Sequence, residues 1–129
     1  MPMTQPGNIY PLLALCARAQ GHPLQYQQLR QQALALPTWD NLPVQAEAHG
    51  LNPLLYAHLQ AADIPVPTAI RQQLQTRAMQ HSHANRVRGC VLAEILTAFQ
   101  SAGIEVLALK GAALAHLVYP ERACARCAI

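Results

Sequence analysis

Proline placement constrains this chain more than any other feature: nine of its ten prolines fall within the first 67 residues, and the tenth is Pro120. A proline fixes φ and donates no backbone hydrogen bond, so it is tolerated in the first turn of a helix and ends one elsewhere. The first half is therefore cut into short helices. Pro11 sits early in a predicted helix over 9–19, with Leu12, Leu15 and Ala19 on one stripe and Gly21 as its stop. His22-Pro23 opens a second helix, in which Leu24, Leu29, Leu34 and Leu36 alternate with glutamines until Pro37. Thr38 or Asp40 caps a third helix running to His49, with Gly50 as its left-handed stop. Asn52-Pro53 reads as a cap and first-turn proline for a fourth, reaching Ala62. Ile64-Pro65-Val66-Pro67 is a stiff extended connector.

Pro67 to Ala102 reads as one long helix with no internal proline. Ile70, Leu74, Ala78, His81, Asn85, Arg88, Leu92, Ile95 and Phe99 recur every three or four residues. The ends of that stripe are apolar and its middle is polar. Either His81, Asn85 and Arg88 lie on a solvated edge, or they line a cleft. After Gly103 the pattern changes. Residues 104–109 are short, β-branched and mostly apolar, as a buried strand would be. Lys110-Gly111 is the turn, and 112–119 a short, nearly apolar helix ended by Pro120. The predicted class is mainly α. A helical N-terminal bundle, 1–102, precedes the first strand and helix of an incomplete α/β core, 103–129. A lone strand leaves backbone groups unpaired on both edges, so a partner or a second copy is expected to cover it.

Composition narrows the chemistry. The formal net charge is +3, with no basic run, which gives no strong nucleic-acid signal. Apolar residues make up 52% and charged ones 12%, unlike a disordered chain. The six acids are Asp40, Glu47, Asp63, Glu94, Glu105 and Glu121, scattered singly, so no local carboxylate pair can hold a metal. Residues 1–19 do not read as a signal peptide, and no apolar run is long enough to span a membrane. A cytoplasmic protein is expected, and Cys16 and Cys90 read as small buried residues.

One constellation is more specific. Leu109-Lys-Gly-Ala-Ala113, followed by Tyr119-Pro120, stands downstream of Trp39, Ala46-Glu-Ala-His-Gly50, Leu51-Asn-Pro-Leu-Leu-Tyr56, Asn85-Arg86 and Ala93-Glu-Ile-Leu96. Over 39–120 the chain resembles an uncharacterised bacterial nucleotidyltransferase-like family of the polymerase-β superfamily. The resemblance implies a transfer of a nucleotidyl group from a nucleoside triphosphate to an unknown acceptor, with magnesium held by an Asp-x-Asp pair. It also implies that Lys110, Gly111 and Ala112 bind nucleotide phosphate. A glycine between strand and helix permits close backbone approach, the helix N-terminus supplies free N–H groups, and a lysine adds a point charge.

The chain departs from that pattern after Glu121. Asp40 and Asp63 are its only aspartates, so the metal-binding pair is missing and the chain is expected to be inactive. Residues 121–129 read as an out-of-frame tail of a truncated relative. Written in GC-rich codons and shifted in frame, 122–129 become Arg-Leu-Arg-Pro-Leu-Arg-Asp, the expected continuation. Cys124-x-x-Cys127 is then accidental; a zinc site would need two further ligands. The alternative function is a helical interaction module without catalysis.

Overall fold

A computed structural model describes residues 8–111. Five helices account for most of them: α1 (Tyr10–Cys16), α2 (Pro23–Leu34), α3 (Leu42–Ala48), α4 (Asn52–Ala61) and α5 (Thr68–Ser101). The first four each carry a proline in their first turn, where its missing N–H has no helical partner. The described residues fall into two compact units, one ending at Ala78 and the other beginning at Met79.

In the first unit, Leu12, Cys16, Leu29, Leu42, Leu55 and Leu74 are almost wholly buried in one cluster drawn from all five helices. Each such leucine contributes about 1.5–3 kcal/mol. The buried face of α2 is Gln25, Leu29 and Ala33, not the leucine stripe expected; Leu24 is 64% and Leu34 84% exposed. Burying Gln25 leaves no polar atom stranded. Its Oε1 accepts from the His22 N–H (3.1 Å), and its Nε2 donates to the Leu15 carbonyl. His22 Nδ1 accepts from the Leu24 N–H (3.2 Å), completing a capping box made of histidine and glutamine.

Side chains from other helices satisfy the loose carbonyls of this unit. His58, itself buried, donates Nε2–H to the Arg18 carbonyl at 2.7 Å, and Arg30 Nε donates to the Ala62 carbonyl at 3.0 Å. These bonds explain two departures from expectation. Helix α1 stops at Cys16, short of Ala19, and the Arg18 carbonyl turns to His58. Gly21 is no helix stop; a Cβ there would lie 1.7 Å from the Tyr26 hydroxyl, so glycine makes room for that ring. Asn52 is likewise not a cap. It is the first residue of α4, fully buried, and its Nδ2 donates to the Leu74 carbonyl of α5 at 3.3 Å. Thr38 and Asp40 bond to each other ahead of α3 rather than to its N–H groups.

Three helices end in the same way. At α3, the Leu51 N–H reaches the Ala46 carbonyl and the Gly50 N–H the Glu47 carbonyl, with Gly50 at φ +67°. At α5, Ile104 bonds to Phe99 and Gly103 to Gln100, with Gly103 at φ +71°. At α4, Ile64 bonds to Leu59 and Asp63 to Gln60, but the left-handed residue is an aspartate at φ +52°. This is the Schellman motif, in which the left-handed residue is normally glycine.

In the second unit, Val87, Val91, Ile95 and Phe99 stand four apart on α5 and are 38–49% exposed. The described residues contain no strand. The buried strand expected over 104–109 is replaced by an irregular, exposed segment in which Leu107 is 80% exposed. A strand exists through its ladder, and no second β-type run lies among the described residues to pair with it. The expected helix over 112–119 and the tail lie outside the described residues.

Candidate functional site

The Schellman end of α5 delivers 104–109 into the Lys-Gly turn. Lys110 adopts a left-handed backbone, φ +62°, and Gly111 follows in helical conformation. The conformational demand of the turn therefore falls on the lysine and not on the glycine, as the sequence suggested. A left-handed non-glycine residue costs roughly 1–2 kcal/mol. Lys110 is exposed, and its ammonium has no partner among the described residues. Ala112 lies outside the described residues.

The polar turns of α5 are more ordered than a solvated edge. Asn85 is 5% exposed, and its Oδ1 accepts from Arg88 Nη1 at 3.1 Å. Spacings of three and four residues put His81, Asn85 and Arg88 on one face. His81 is half-buried and Arg88 exposed, so the structure joins two of the three directly and keeps the third beside them. Lys110 makes no hydrogen bond or ion pair with any of them. On another face, Arg86 Nη2 donates to His83 Nδ1 at 3.4 Å; a guanidinium can only donate, so that nitrogen accepts.

The two described thiols differ. Cys16 is buried, and desolvation pushes its pKa up to about 12. Cys90 is exposed, against expectation, because position 90 falls off the buried face of α5. Cys124 and Cys127 lie outside the described residues. Among the described residues, no three His, Cys, Asp or Glu side chains are grouped to hold a metal ion. The donors for the implied magnesium are therefore not found there, and no chemical step is drawn through it. No described helix is long and apolar enough to cross a membrane.

The described structure is thus a helical protein leading into an exposed Lys-Gly turn. Its sequence matches the family model described as "Uncharacterised nucleotidyltransferase" over residues 35–128, most of the chain, and the chain belongs to that family. The span encloses 39–120, where the resembling motifs lie, and continues through Cys124 and Cys127. Comparisons with curated proteins and with solved structures gave no match. The sequence pattern singled out Lys110 and the face that carries Asn85. It missed the Asn85–Arg88 bond, which the three-residue spacing could have suggested, and the cavity beside Asp63 described below.

Proposed function

We propose that this chain carries the helical region and the opening of the nucleotide-binding core of a nucleotidyltransferase. In this reading Lys110, Gly111 and Ala112 hold the phosphates of a nucleoside triphosphate in the cytoplasm. The observation that carries the reading is the left-handed, unpartnered Lys110 at the Leu-Lys-Gly motif, inside the family match. A turn of this kind leaves backbone N–H groups and an ammonium free for anionic oxygens. Residues 104–109 would become the first strand of the α/β core once a second strand pairs with them. His81, Asn85 and Arg88 would border the cleft.

These 129 residues contain no Asp-x-Asp, so they are proposed to bind nucleotide without transferring it. An assay with α-labelled nucleoside triphosphates and magnesium should show no transfer of label, while the same nucleotides protect the Lys110 region from proteolysis. Transfer by the purified chain would overturn the inactive reading.

A second reading is favoured by one observation: Ile104, Val106, Leu107 and Leu109 are all exposed. An apolar segment of this kind invites a protein partner or a second copy. Size-exclusion chromatography should then show species larger than 14.1 kDa that Leu107→Lys disperses.

A further inference from the structure

The C-terminal end of α4 combines three features that the nucleotidyltransferase reading does not use. Asp63 occupies the left-handed position that Gly50 and Gly103 occupy in the two matching helix ends. A glycine there would be less strained, so the aspartate is a cost to the fold, and local strain of this kind concentrates at functional positions. The carboxylate has no hydrogen bond or ion pair among the described residues. It lines a cavity of about 270 Å³, within the first unit, whose wall also carries Arg71. The Arg71 guanidinium makes no hydrogen bond or ion pair among the described residues either, so the cavity wall carries one exposed charge of each sign that a ligand could meet.

The rest of the wall sorts by chemistry. Ile64 and Val66, both half-buried, supply apolar surface, with the core residues Leu59 and Leu74 behind them. The Tyr56 hydroxyl oxygen accepts from Gln60 Nε2 at 2.7 Å, which leaves its own O–H free to donate. The volume is at the small end of ligand cavities, which start at about 300 Å³. A ligand with a single charge would satisfy one side and leave the other bare. A ligand bearing both charges on a small apolar body would satisfy both.

We propose that this cavity binds a small zwitterion of the amino-acid class, its ammonium on Asp63, its carboxylate on Arg71 and Tyr56, and its aliphatic side chain against Ile64 and Val66. Arginine recognises a carboxylate through two parallel N–H donors. Both charged residues are exposed, so each ion pair is weak and the dissociation constant is about 1 mM. The proposal rests on residues before Ala78 and is independent of Lys110, so either can fail without the other.

The test is thermal unfolding of the full chain with alanine, valine or leucine at about 10 mM, beside acetate and methylammonium chloride at the same concentration. At least one amino acid should raise the Tm by about 5 °C, and neither single-charge probe should. Asp63→Asn, which tolerates the same backbone, should abolish the shift, as should Arg71→Ala. Asp63→Gly should melt higher than the parent without ligand and yet show no shift. No response to alanine, valine or leucine, an equal response to acetate or methylammonium, or a shift that survives in Asp63→Asn would each overturn the proposal.

Discussion

Single residues carry the strain in this protein, and the strain has identifiable origins. Gly103, at φ +71°, has nothing within 4 Å of where a Cβ would stand. Gly103→Ala therefore suffers only the left-handed penalty, about 1 kcal/mol, and the Tm should fall by about 4–8 °C in calorimetry. Gly21→Ala is a different case: the new methyl would collide with the Tyr26 hydroxyl, which lies 3.5 Å from His58 Nδ1. That ring must move, so this variant should lose about 1–3 kcal/mol in denaturant titration. Cys16 sets a pH limit. Its folded pKa, raised by burial from 9.0 to about 12, means the unfolded chain ionises first. The protonated thiol is compatible with the core below pH 9, and stability should decline as pH rises from about 9 towards 12. At pH 8, iodoacetamide followed by peptide mapping should label Cys90 and leave Cys16 unmodified until denaturant is added.

At the level of elements, the first four helices begin on a first-turn proline, and α3, α4 and α5 end where a left-handed residue is available. The starts of α1, α2 and α4 were legible because a first-turn proline has a local cause that needs no tertiary information, whereas α3 starts at Leu42 on Pro43 and not after a Thr38 or Asp40 cap. Gly50 and Gly103 were legible for the same reason. The end of α1 was not, because the Arg18 carbonyl is satisfied by His58, 40 residues away. Nor was the buried face of α2: Gln25 enters the core only because His22 and Leu15 supply partners for its amide. Long-range bonds of this kind leave no periodic trace in a sequence. The His22 cap gives a direct check. His22→Ala leaves the Leu24 N–H without its acceptor and should cost about 1 kcal/mol, read as a lower denaturation midpoint with unchanged slope.

For the whole molecule, the scattered acids and the family match lead to the same question. The chain belongs to a nucleotidyltransferase family, has aspartate only at positions 40 and 63 of these 129 residues, and carries at Lys110-Gly111 the turn proposed to meet phosphate. Lys110 and Gly111 were legible as a motif, but the residue that takes the left-handed conformation was not. A bare Lys-Gly pair does not say which of its members absorbs the turn. Strand identity over 104–109 was illegible for a related reason, since β structure is a property of pairs of segments. The proposed role of Lys110 is to hold a triphosphate. Isothermal titration of the chain with magnesium-ATP, repeated with GTP, CTP and UTP, tests it most directly. At least one nucleotide should bind at about 1 mM or tighter, weakened at least about tenfold in Lys110→Ala and unchanged in Asp63→Asn. No heat from any nucleotide up to about 10 mM, or equal binding by Lys110→Ala, would contradict it.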